Sequence, residues 1–166
     1  TVVDDWDLPA LVPLSFAGIE ALQLGLQGDA NDQARVDGTA GNDAFTFTQA
    51  ATLDGGTFTG TMDQGNATGY GPFPLVPTSF TGVPPWVDCD LNMFVRGGTD
   101  TFTFSGTGDD ETMDVFDPGA PDSQGVSSTI GGTPRATLKL FAFYAIALHG
   151  NGGSDTFNVP PRATIP

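Results

Sequence analysis

An all-β fold assembled from repeats is what the sequence predicts, and three observations predict it. Glycine and proline number 23 and 13 in 166 residues and cut the chain into short segments. Those segments are rich in Thr, Ser and Phe and alternate apolar with polar residues, the period of a half-buried strand. A Gly–Asp turn running into an aromatic strand also recurs three times at nearly even spacing.

In chain order, residues 1–15, with Trp6, Pro9 and Pro13, read as a capping segment. Residues 16–24 form a strand lead-in through Ile19, Ala21, Leu22 and Leu24. The first repeat is Gly38-Thr39-Ala40-Gly41-Asn42-Asp43-Ala44-Phe45-Thr46-Phe47. Glycine supplies the positive φ of its turn, Asp bonds nearby backbone, and β-branched Thr suits the outer face of the strand. A further strand follows at Phe58–Met62. From 69 to 86 the rhythm breaks: Pro72, Pro74, Pro77, Pro84 and Pro85 alternate with Tyr70, Phe73, Phe80 and Trp86. So many aromatic rings are costly to leave in water, so this excursion either caps the core or meets a partner.

Leu91–Val95 leads into the second repeat, Arg96-Gly97-Gly98-Thr99-Asp100-Thr101-Phe102-Thr103-Phe104. A weaker copy, Gly106–Val115, comes next, and Val126–Ile130 reads as a strand. The longest apolar run, Ala136–Leu148, reads as one or two strands feeding the third repeat, Gly150–Val159. Aligned on Asp43, Asp100 and Asp155, the three repeats are 57 and 55 residues apart. Residues 1–158 are thus expected to form a single β-repeat domain. Residues 159–166, with three prolines, make a linker or strap that can sustain neither helix nor interior strand. A chain that starts at Thr1 without a leader reads as a processed product or an excised piece.

Five Lys and Arg stand against twenty Asp and Glu, a formal charge of −15, which repels phosphate backbones and argues against nucleic-acid binding. No apolar run is long enough to span a bilayer as a helix, and one cysteine cannot form an internal disulfide. Acidic turns and scarce lysine fit an extracellular or cell-surface setting. Catalytic signals are thin. Asp109 and Asp110 are adjacent, so on a strand they would face opposite sides. The five cations are scattered, and His149 and Cys89 have no activating neighbour in sequence. No catalytic residue is assigned.

The segment Gly150-Asn151-Gly152-Gly153-Ser154-Asp155-Thr156-Phe157-Asn158 resembles the nonapeptide of haemolysin-type (repeats-in-toxin) calcium-binding proteins. Its Gly-x-Asp-Thr-Phe-x-Val ending is similar to repeats of very large bacterial surface proteins. The resemblance implies a parallel β-helix, or solenoid, in which turn aspartates bind Ca²⁺ between successive coils. By position the metal candidates are Asp43, Asp100, Asp110 and Asp155. Asp109 joins them because Asp109, Asp110, Glu111 and Asp114 crowd four carboxylates that a cation would relieve. Weaker clusters lie at Asp29 with Asp32 and at Asp4, Asp5 and Asp7. An antiparallel β-sandwich is the competing architecture.

The expectation is therefore a non-enzymatic extracellular structural module of a bacterial cell-surface or fibre-forming protein, self-associating end to end or joined to neighbouring modules, and braced by calcium. Phe45, Phe47, Phe102, Phe104, Phe157 and Val159 would pile up inside it. One alternative is an adhesin module that offers Tyr70, Phe73, Phe80 and Trp86 to a polysaccharide or a protein. Another is a β-helix enzyme acting on polysaccharides.

Overall fold

The computed structural model describes residues 22–25, 34–52, 55–63, 72–81, 91–135 and 137–161. Every regular element among them is a strand. They are β1 Leu22–Gly25, β2 Ala34–Asp37, β3 Ala44–Gln49, β4 Gly56–Met62, β5 Phe73–Pro74, β6 Thr78–Thr81 and β7 Leu91–Phe94. The second half adds β8 Thr101–Ser105, β9 Glu111–Phe116, β10 Ser123–Ile130, β11 Thr133–Pro134, β12 Leu138–Phe141, β13 Ala145–His149 and β14 Thr156–Asn158.

Two mixed sheets result. The first runs β1-β6-β4-β3-β8-β13 with β5 beside β4, and the second runs β2-β7-β12-β10-β9-β14 with β11 beside β10. Period-two alternation decides which faces meet. Phe45 and Phe47 on β3 and Phe102 and Phe104 on β8 are buried, and the residues between them are more accessible. Leu91 and Met93 on β7, and Leu138 and Leu140 on β12, do the same in the second sheet. These side chains join Phe58, Phe80, Met113, Val126 and Phe143 in one core cluster drawn from both sheets. The Phe47 ring lies 5.0 Å from that of Phe58 and 5.6 Å from that of Phe104, and Phe102 packs edge-on against Phe143. Burying each such ring contributes about 1.5–3 kcal/mol.

The 57-residue spacing is a true register. Phe45 pairs with Phe102 and Phe47 with Phe104 in a parallel ladder, and Ala34 to Asp37 pair with Leu91 to Phe94 at the same offset. Next come β12 on β7 and β13 on β8, both parallel. Antiparallel pairs are interleaved: β3 with β4, β9 with β10, and β10 with β12.

The third repeat stands elsewhere. Asp155 does not follow Asp100 up one column. Its strand β14 pairs with β9 in the second sheet, with Thr156 opposite Thr112 and Phe157 opposite Met113, an offset of 44. The strand stacked on β8 is β13, reached from β12 by the short link Ala142–Tyr144, where Ala142 has φ 65°. Phe157 and Val159 are consequently 45% and 63% exposed, not stacked inside as expected. The lead-in also moves. Of residues 16–24, those described belong to β1 in the first sheet, and the strand that enters the first turn is β2.

Candidate functional site

The chemistry-bearing residues gather at two stacks of six-residue turns. The first stack holds 38–43, between β2 and β3, and 95–100, between β7 and β8. The second holds 106–111, which follows β8 and takes in the first residue of β9, and 150–155, between β13 and β14. Within the lower turn of each stack a threonine closes a loop onto an acid four residues later. Thr39 donates its N–H to Asp43 Oδ2 at 2.6 Å and its hydroxyl to Oδ1 at 2.8 Å. Thr107 donates the same two groups to Glu111 Oε1, each at 2.8 Å. The threonine hydroxyl in turn accepts an N–H, from Gly41 and from Asp109 respectively, at 3.2 Å in both. Asp63 adds its N–H to Asp43 Oδ1 at 2.8 Å.

The upper turn of each stack then reaches down. Asp100 Oδ1 accepts the N–H of Asp43 at 2.7 Å, and Asp155 Oδ1 accepts the N–H of Glu111 at 3.0 Å. One residue earlier the direction reverses. Asn42 Oδ1 accepts the N–H of Thr99 at 2.8 Å, and Asp110 Oδ1 accepts that of Ser154 at 2.7 Å. Two stacks with unlike sequences thus share one bonding scheme, in which side-chain oxygens continue the ladder where the strands stop. Such an arrangement satisfies main-chain donors that a buried turn would otherwise strand.

Asp43 and Asp100 are both 1% exposed. Burial, with the Asp43 charge as a smaller contributor, pushes the Asp100 carboxyl above the usual carboxylate range, against the Asp43 N–H that favours its ionised form. Asp109 and Asp110 are exposed at the surface, and Asp155 is half-buried. The five expected metal ligands therefore fall on two separate stacks. Among the described residues no three acidic, imidazole or thiol side chains come together in a group that could hold a metal ion. The expected aromatic surface divides as well. Phe80 is buried at 2% exposure, edge-on to Phe58 at 5.4 Å, so it belongs to the core and cannot face a partner. Phe73 on β5 is 36% exposed. Tyr70 and Trp86 lie outside the described residues, as do Asp29, Asp32, Cys89 and the early aspartates.

Sequence reasoning missed a buried polar group between the sheets. Gln49 at the end of β3 donates to Glu111 Oε1 at 3.4 Å, and Ser128 on β10 hydrogen-bonds to Gln49 Oε1. Beside it, Arg135 donates to the carbonyl of Ala51 at 3.0 Å. Glu111 Oε2 and Arg135 Nε are buried and have no hydrogen-bond partner among the described residues. On the outer face of the second sheet, Phe94 and Phe141 stack at 4.2 Å and 7°, with the Arg35 guanidinium 4.0 Å from the Phe94 ring centroid. Arg35 also grips Asp37 with two bonds of 2.6 and 2.9 Å, which hold the Asp37 carboxyl below the usual range. The threonine four residues before each acid, Thr39 and Thr107, was the signal that could have marked Asp43 and Glu111 as equivalent.

No family model matches the chain, and neither a curated protein nor a solved structure matches it.

Proposed function

We propose that this chain is a non-enzymatic structural module of a bacterial cell-surface or fibre-forming protein, working outside the cell. In this reading the parallel passages β2 to β3, β7 to β8 and β12 to β13 are coils of a solenoid-like stack. The observation that carries it is the shared bonding scheme of the turns. Asp100, Asp155, Asn42 and Asp110 each accept a main-chain N–H from a neighbouring turn, so the polar residues of the repeats serve to hold one passage on the next. Ladder bonds and side-chain brackets along one direction resist pulling and local opening, which is what a stalk or fibre segment needs. A formal charge of −15 keeps such a module soluble and apart from other acidic surfaces.

The experiment is protease shaving of intact source cells, with the released peptides identified by mass spectrometry. Peptides of this chain should appear from intact cells without cytosolic markers. Their appearance only after lysis would overturn the assignment.

A further inference from the structure

Both sheets contain six strands in their main stack, and their end strands point the same way. Following the pairings across the first sheet makes β1 parallel to β13. Across the second sheet, β2 is likewise parallel to β14. Counted from the β1 and β2 ends, the first strand of one sheet is followed in the chain by the first strand of the other, β1 by β2. The fifth strands, β8 and β9, and the sixth, β13 and β14, are joined in the same way. Links in the opposite direction climb three places: β2 leads to β3, β7 to β8 and β12 to β13.

Two consequences follow for the ends. Where the links climb three places, the last three strands of the second sheet, β10, β9 and β14, extend beyond the last strand of the first. The first three strands of the first sheet, β1, β6 and β4, extend beyond the other end. Apolar side chains are bare at both places. Phe157 registers with buried Met113, so it points to the core side, yet it is 45% exposed. With Val115, Phe116, Val159 and Pro160 it lines an open apolar groove. At the opposite end Phe73 registers with Met62, which packs against the core, yet Phe73 is 36% exposed.

We propose that a second copy of this chain docks head to tail on this groove. Its β1 would add to the edge of β13 and its β2 to the edge of β14, with Phe73 and Met62 covering Phe157 and Val159. The inference rests on the structural-module reading and names its partner. One displacement by six ladder spacings of about 4.8 Å, roughly 29 Å, with the accumulated twist, continues both sheets at once because both stacks have the same strand count. Strand addition also satisfies edge groups that are unpaired among the described residues. Because the two contacting surfaces differ, the contact does not close on itself and propagates as an open filament.

Sedimentation velocity and electron microscopy of the 166-residue chain across a concentration series test this. A growing ladder of species is expected, without a stop at the dimer. Phe157→Glu and Phe73→Glu each place a charge on one exposed end and should leave only monomers with wild-type circular dichroism. Mixed together, the two variants should form a species that stops at two copies, since each retains the end the other has lost. Thr133→Lys, at an exposed site away from both ends, should assemble like the wild type. A wild type that stays monomeric at every concentration, or a mixture that stays monomeric while the wild type assembles, would overturn the proposal. Monomers in solution together with shaved surface peptides would sink this inference and leave the structural-module reading standing.

Discussion

The carboxylate of Asp100 accepts the main-chain N–H of Asp43, 57 residues earlier, at 2.7 Å, and both residues are 1% exposed. Asp155 makes the corresponding bond to Glu111 across 44 residues. A side chain thus takes the place of a carbonyl in the ladder and holds the two turns of each stack together just beyond the strand pairings. Acidic turns on such a chain need not be ion sites to be structurally important.

Asp100→Ala removes the acceptor and leaves a buried N–H unsatisfied, which should cost about 1–3 kcal/mol in chemical denaturation. Asp100→Asn retains an acceptor and should cost less. Asp155→Ala, at a half-buried position, should fall below Asp100→Ala. Equal and negligible losses in all three would show that the brackets contribute nothing.

The raised pKa of Asp100 sets a pH signature. An acid whose pKa is higher folded than unfolded binds more protons in the native state over the interval between the two values. Stability therefore falls as pH rises through that interval, and the penalty is complete above the folded pKa. Asp100→Asn abolishes this contribution. Its stability relative to wild type should improve as pH rises from about 3 to about 7. A difference that is flat, or that runs the other way, would remove burial as the dominant influence on this carboxyl.

Much of the first stack could be read from the sequence because its signals are local. Phe45-Thr46-Phe47 and Phe102-Thr103-Phe104 alternate cleanly, and the turns before them match in length, so a spacing of 57 became a register. The third repeat misled for the same reason. Its turn resembles the others because it solves the same local problem, but local likeness does not say which sheet the next strand joins. The partner of Asp155 is Glu111, whose longer side chain and weaker surrounding motif hid the equivalence. Phe80 lay in a proline-rich stretch that read either as a cap on the core or as a contact surface, and the pairing of β6 with β4 carries its ring inward. The contact between Gln49 and Ser128 joins residues 79 apart on different sheets, and no periodicity encodes it.

Truncating rings separates the two kinds of repeat. Phe104→Ala empties a fully buried site between Phe47 and its neighbours and should cost about 3–5 kcal/mol. Phe157→Ala, measured at dilution, should lie within about 0.5 kcal/mol of wild type. Comparable losses at both positions would return Phe157 to the core and restore the single column of rings.

Glycine at position 98 is required by position as well as by backbone angle. Its φ is +91°, and a Cβ there would stand 2.3 Å from the carbonyl oxygen of Gly41 in the turn below. Gly119 has a similar φ of +83° and open space around it. Gly119→Ala should show only the strain of a left-handed backbone, about 1–2 kcal/mol, and Gly98→Ala should exceed it by at least about 1 kcal/mol. Equal costs would mean that the two turns do not approach closely in solution.

Calcium is expected to leave the melting temperature unchanged. Among the described residues no three acidic, imidazole or thiol side chains gather into a group that could hold the ion, and Asp43, Asp100, Asp110 and Asp155 each already spend a carboxylate oxygen on a main-chain N–H. A ligand that binds only the native chain must raise its stability, in proportion to the logarithm of its concentration once the site is saturated. Scanning calorimetry in millimolar calcium and in excess chelator therefore reads the question directly. Superimposable transitions support brackets made by the protein alone. A shift of several degrees that the chelator reverses would mean that the ion recruits Asp109, Asp110 or their neighbours. Asp110→Asn, which retains an acceptor for Ser154 while removing the charge, should then abolish the shift.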